Sequence, residues 1–171
     1  ADYAMRTDAL EALIEADIAA GRRPCAIVAT TGTTTTTALD PVEGIARIAR
    51  KYDLWLHVDA AMAGSAMILP ECRWMWDGIE HADSIVMNPH KWLGAQFDCS
   101  VQFLKDPGAQ VRTLGLRPTY LETAGREEIV NFNEWTVPLG RRFRALKLWF
   151  VLRAYGLEGL RLRIRNHVAW A

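Results

Sequence analysis

This sequence predicts an α/β fold built on a largely parallel sheet covered on both faces, and two observations carry the prediction. Short, almost wholly apolar runs recur at "CAIVAT", "LWLHV", "SIVMN" and "CSVQFL". Several are separated by stretches whose apolar residues repeat at helical spacing, which is the pattern of strands joined by right-handed helical crossovers.

Taken in order, Thr7 is placed to cap a helix whose residues Leu10, Leu13, Ile14 and Ile18 share one stripe and which ends at Gly21. "CAIVAT" is the first strand. Asp40-Pro41-Val42-Glu43 reads as a helix start, with a capping aspartate, proline at the first helical position and a glutamate three residues on. Val42, Ile45, Ile48 and Ala49 form its buried stripe. "LWLHV" is the second strand, residues 71 to 80 a short helix, "SIVMN" the third strand and "CSVQFL" the fourth. From about 106 to 134 periodicity gives way to Pro107, Gly108, Gly115, Pro118 and Gly125, a length without pattern that fits a functional lid or a disordered segment. Beyond it, "PLGRRFRALKLWFVLRAYG" and "LEGLRLRIRNHVAW" read as two helices separated at Gly156.

The 171 residues are half apolar and carry 20 basic against 20 acidic side chains, so net charge points to neither nucleic acid nor an anionic membrane. Residues 139 to 165 do gather eight bases around one acid, Glu158, which reads either as a basic docking module or, more plainly, as solvated or subunit-facing faces of two helices. Cys25, Cys72 and Cys99 have neither zinc-site nor disulfide-framework spacing. Cys25 and Cys99 read as reduced core residues, and a reducing, cytoplasmic compartment is the expectation. "LWFVL" is far too short to span a membrane, and no signal peptide is visible. The chain opens at Ala1 and stops inside a helical pattern, so it reads as a piece of a longer protein.

Ligands collect outside the carboxyl ends of parallel strands, so the residues there bear the chemistry. "ATTGTTTTT" follows the first strand. Its glycine permits a tight turn and its hydroxyls face either the crevice or one another, but it has no P-loop or dinucleotide spacing. At the second end, strand alternation puts His57 and Asp59 on one face, with the small residues Ala60, Ala61, Ala63, Gly64 and Ser65 leaving space. A carboxylate there either caps the next helix or meets a metal ion, an arginine or a protonated cofactor nitrogen. At the third end, "MNPHKWLG" holds Lys91, which either snorkels to water or, partly desolvated, offers a neutral amine to carbonyls. Lys91 lies 32 residues after Asp59, about one helix and one strand, so both can face one crevice. A lysine and an aspartate so placed are the pair that pyridoxal phosphate needs.

"HVDAAMAGSA", "NPHKWLGAQFDCS" and "PLGRRFRALKLWFVLRAYG" together resemble the pyridoxal-phosphate-dependent group II amino-acid decarboxylases, most closely those acting on aromatic L-amino acids. The resemblance runs from about Cys25 to the last residue. It implies the aspartate-aminotransferase type of fold, with residues 1–138 as the second half of the cofactor domain, including a mobile catalytic loop at about 106–134, and residues 139–171 as helices leading toward the small domain. It further implies that Lys91 carries the cofactor, that His90 holds its phosphate end or the loop bearing it, and that Asp59 pairs with the pyridine nitrogen. Ala61 would pack on a ring face, Thr34 and Asn88 match cofactor-contacting positions, and His57 orients Asp59. Tyr120, in "RPTYLET", would return a proton to the substrate α-carbon and favours decarboxylation over aldehyde synthesis. Homodimers with shared active sites are implied as well. Met62 replaces a tyrosine of the animal enzymes, and the family's ring-stacking histidine lies upstream of this chain, which is therefore expected to be inactive by itself. The amino-acid substrate stays open between aromatic and other kinds. Metal-dependent hydrolysis through His57, Asp59 and His90 leaves Lys91 without a task, and a basic interaction module accounts for the last thirty-odd residues alone.

Overall fold

The computed structural model describes residues 2–115 and 130–171. Its elements are α1 (Thr7–Ala19), β1 (Ala26–Thr30), α2 (Val42–Lys51), β2 (Trp55–Asp59), three 3₁₀ runs (Ala63–Ile68, Pro70–Trp76, Ile79–His81), β3 (Ser84–Met87), β4 (Val101–Leu104), α3 (Pro107–Leu114), a 3₁₀ turn (Phe132–Trp135) and α4 (Ala145–Trp170). They fall into two compact units, residues 1–103 with 144–171, and residues 104–143.

The four strands lie in the order β1-β2-β3-β4, and β1, β2 and β3 are mutually parallel, as the alternation of strands and helices predicts. Register aligns Val28 with His57 and Ser84, and Thr30 with Asp59 and Val86. Alternation sends Ile27, Ala29, Leu56 and Val58 into one core with α2, whose stripe Val42, Ile45, Ile48 and Ala49 is buried as the spacing predicts. Each large aliphatic side chain taken out of water here contributes about 1.5–3 kcal/mol. The opposite face is not covered by the described residues: Val28 is 54% exposed and Trp55 partly so. Helical periodicity shows that a helix has an apolar stripe but not which sheet face it meets.

Three local expectations are also corrected. Thr7 is the first residue of α1 rather than its cap, and only Ile14 of the predicted stripe is buried, Leu13 being 66% exposed. Residues 71 to 80 form 3₁₀ turns: Pro70 starts the run to Trp76, and Gly78, with φ 89°, breaks the chain between that run and Ile79–His81. Cys25 is exposed at the entrance of β1, whereas Cys99 is buried; all three cysteines are free.

The start of α2 differs most instructively. Pro41 occupies the cap position and Asp40 makes no helix cap; its carboxylate is buried and turned back, Oδ1 accepting from the Met5 N–H at 2.7 Å and Oδ2 from the Thr30 N–H at 2.8 Å. Asp40→Ala is expected to strand both donors and to destabilise the protein by about 2–4 kcal/mol. The check is a urea titration, with the midpoint falling at unchanged slope.

A second core gathers Ala63, Ala66, Leu69, Trp76, Leu93, Leu160 and Ile164. Within it the Trp76 indole donates from Nε1 to Thr31 Oγ1 at 3.0 Å, fixing the chain just past β1. The two C-terminal helices merge into α4, but Gly156 (φ 62°, ψ 177°) interrupts it at the predicted point. In the other unit the described part of the patternless stretch is partly regular. Asp106 Oδ1 accepts from the Gly108 N–H at 2.9 Å and Pro107 opens α3 at its first position, as proline does.

Candidate active site at the carboxyl ends of β1, β2 and β3

The three parallel strands end side by side, and backbone hydrogen bonds carry the alignment past them: Thr31 N–H to Asp59 C=O at 2.9 Å, Ala60 N–H to Val86 C=O at 3.0 Å and Asn88 N–H to Ala61 C=O at 3.0 Å. Asp59 emerges on the uncovered face, opposite buried Leu56 and Val58. Its Oδ1 accepts from the Ala61 N–H at 3.0 Å, the tight turn open to an aspartate at a strand end. Its other oxygen accepts from no described residue, so half of a partly buried carboxylate is left without a donor among them.

His57 shares that face, as alternation requires. Its Nδ1 is 2.7 Å from Ser84 Oγ, which also accepts from Trp55 Nε1 at 2.9 Å. The ring is thereby held by β3, and the bond expected to orient Asp59 is not made. Ser84 was not singled out from sequence, because its meeting with His57 depends on the register between β2 and β3.

Lys91 stands on the turn after β3, its N–H donating to Asn88 C=O at 2.9 Å. Its amine forms no hydrogen bond or ion pair with a described residue, and the residue is exposed. Of the two readings the sequence leaves open, the amine reaching water is the one seen among the described residues. The neighbouring loop closes on itself. His90 Nδ1 lies 2.6 Å from Cys99 C=O and 3.0 Å from the Cys99 N–H, donating to the first or accepting from the second according to tautomer. Its ring meets Phe97 edge-on at 4.8 Å. Asn88 Oδ1 accepts from Ser100 Oγ at 2.7 Å.

Thr34 sits on the exposed turn after β1. The turn is tied by Thr33 Oγ1, which accepts from the Ala38 N–H at 2.9 Å and pairs with Thr36 Oγ1 at 2.7 Å. Hence the self-satisfied turn is present, and Thr34 itself is exposed. Gly32 (φ 80°) is required here: a Cβ at that position would lie 2.7 Å from Ala63 Cβ. Asp59, Ala61 and Asn88 are thus joined by direct hydrogen bonds and Lys91 hangs from Asn88, while Thr34 makes none to this group. Tyr120 lies outside the described residues. Among the described residues no three His, Cys, Asp or Glu side chains gather as a metal site, and no helix is long and apolar enough to cross a membrane.

A half-satisfied carboxylate and an unpaired amine at adjacent strand ends of a parallel sheet are groups that can receive a carbonyl-bearing, protonatable ring cofactor of the pyridoxal class. The family model described as "Pyridoxal-dependent decarboxylase conserved domain" matches residues 1–171, and the chain belongs to that family. It is 48% identical over 172 residues to tyrosine decarboxylase 2 of Narcissus pseudonarcissus, covering 99% of this chain and 34% of the relative. Against aromatic-L-amino-acid decarboxylase of Drosophila melanogaster it is 48% identical over 170 residues, covering 99% and 33%. The crystal structure of Oryza sativa TDC with PLP and tryptamine superposes with a TM-score of 0.95 at 42% identity, over 98% of this chain and 35% of that one. The chain spans about a third of the length of the curated relatives it matches.

Pyridoxal phosphate fits the residues present. The free Asp59 oxygen can accept from a ring N–H, the Lys91 amine is uncommitted, and Ala61 next to Asp59 is small enough to admit a flat ring.

Proposed function

We propose that this chain carries the lysine and aspartate half of the active site of a decarboxylase that converts L-amino acids, aromatic ones first, to the amine and carbon dioxide. The observation that carries the reading is the placement of Asp59 and Lys91 one strand apart at the carboxyl edge, the aspartate with one oxygen unmet and the lysine with its amine free. When bound, pyridoxal phosphate supplies the electron sink for the bond broken at the α-carbon. Lys91 binds the cofactor's aldehyde carbon through Nζ. Asp59 keeps a proton on the ring nitrogen, which a neutral amide could not do. Ala61 supports one ring face, Asn88 and Thr34 contact the cofactor, and His90 keeps the Lys91 loop closed on Cys99. His57, fixed by Ser84, maintains the wall of the crevice beside Asp59.

Tyr120 is assigned the return of a proton to the α-carbon once carbon dioxide has left. Tyr120→Phe is expected to leave cofactor binding intact while amine formation drops by about 10²-fold or more, the usual scale for a lost general acid. Chromatography of the products and the visible absorption of the bound cofactor check both halves.

The same reading takes the protein as a cytoplasmic homodimer with shared active sites. Three free cysteines suit a reducing compartment, and the exposed Leu146, Trp149 and Phe150 on α4 suit a subunit contact. The deciding experiment reconstitutes the protein at full length with pyridoxal phosphate and assays it against a panel of amino acids for amine and carbon dioxide. A visible band abolished by borohydride, with amine released from aromatic substrates, is expected. Absence of that band overturns the reading.

A further inference from the structure

The three residues that follow Lys91 all meet one face of α4 beyond Gly156. Leu93 is buried in the same apolar cluster as Leu160 and Ile164. Gly94, with φ 82°, lies so close under the Arg163 guanidinium that a side chain at 94 would overlap it. Trp92 donates from Nε1 to His167 Nδ1 at 3.1 Å. Residues 160, 163, 164 and 167 follow the three- and four-residue spacing of a single helix face, so the helix grips the turn with consecutive rungs. The turn itself is tight, the Gly94 N–H donating back to Lys91 C=O at 3.3 Å.

His167 is the one member of this grip that makes a directional polar contact with a side chain of the turn. An indole N–H can only donate, so Nδ1 is the acceptor and the neutral ring carries its proton on Nε2. The ring is backed by Trp170 at 5.6 Å, tilted 43°. Apolar contact at Leu93 holds the turn against the helix but tolerates sliding. A hydrogen bond of fixed direction at Trp92 sets how the turn is rotated, and with it the direction in which the Lys91 side chain leaves the backbone.

We infer that His167 is a positioning residue for Lys91: by accepting the Trp92 N–H it orients the turn from which the cofactor-binding amine projects. The inference rests on the function proposed above. It assigns to the far end of α4, 76 residues downstream of Lys91, a part in the geometry of the site.

The test uses the full-length protein loaded with pyridoxal phosphate. His167→Leu removes the acceptor, and His167→Asn keeps an acceptor atom near the place of Nδ1. His167→Leu is expected to lose most of the visible circular dichroism of the bound cofactor and to release it about tenfold faster, the scale of one donor left without its acceptor. His167→Asn is expected to restore both properties to within about twofold. Trp92→Phe keeps the packing and removes the donor; it should reproduce the leucine variant, and the double variant should add nothing further. Should His167→Leu not fold, Trp92→Phe carries the same test. Unchanged dichroism and release in His167→Leu or in Trp92→Phe overturns the inference, as does failure of asparagine to restore them. If the unsubstituted protein shows no cofactor band at all, it is the proposed function that has failed, an outcome distinct from a band present but indifferent to residue 167.

Discussion

Lys91→Ala in the full-length protein is expected to abolish the borohydride-stable label on this segment and to lower amine formation by on the order of 10³-fold or more, as losing a covalent catalytic group does. The effect should be confined to the chemistry. The amine makes no hydrogen bond or ion pair with a described residue, and the turn is held by backbone and by Trp92, Leu93 and Gly94, so the fold has little to lose. Thermal unfolding of the apo protein should be unchanged within about 0.5 kcal/mol, the ordinary range for an exposed substitution. Lys91→Arg should not rescue. A guanidinium stays charged at every accessible pH and offers no free amine to a carbonyl. Peptide mapping after reduction is the decisive measurement: label elsewhere on the chain, or label persisting in the alanine variant, would remove Lys91 from its assigned place.

Asp59→Asn is the second large effect. The structure makes this substitution clean, because the one hydrogen bond that the Asp59 carboxylate accepts among the described residues, from the Ala61 N–H, can be accepted equally by an amide oxygen. The turn after β2 should survive, and thermal stability with it. On the proposed reading, what disappears is the negative charge that would hold a proton on the cofactor's ring nitrogen. With pyridoxal phosphate saturating, the turnover number is expected to fall by about 10²–10³-fold, comparable to removing one preorganised electrostatic partner from an active site. A variant that binds the cofactor yet decarboxylates at an undiminished rate would show that the ring nitrogen takes its proton from elsewhere.

How much of this could be read beforehand varied with the physics behind each feature. The buried stripe of α2 follows from a 3.6-residue period that needs no partner to be recognised. The common face of His57 and Asp59 follows likewise from strand alternation. Contacts that depend on register or on distant chain were not legible. Asp40 looked like a helix cap because its sequence neighbours say so, yet its acceptors serve Met5 and Thr30, brought to it by tertiary folding. Trp76 reaches Thr31 across 45 residues, and Ser84 meets His57 because β3 pairs with β2 at that offset. The α3 helix was legible in principle, since Asp106-Pro107 is a start signal, but glycine and proline around it broke the period that would have drawn notice. The sequence left the Lys91 amine open between water and a desolvated crevice, burial being a property of what lies across from a residue rather than of the residue.

The contact between Gly32 and Ala63 has a consequence for anyone wishing to redesign the crevice. Because the space between the loop after β1 and the run after β2 is already smaller than one methyl group, the two loops behave as a single rigid wall. Enlarging the residue at either position forces the two loops apart. Libraries aimed at a wider specificity will therefore succeed by varying the two loops as one paired unit, with compensating changes drawn together, and positions 32 and 63 are best kept fixed as the hinge pin of the scaffold.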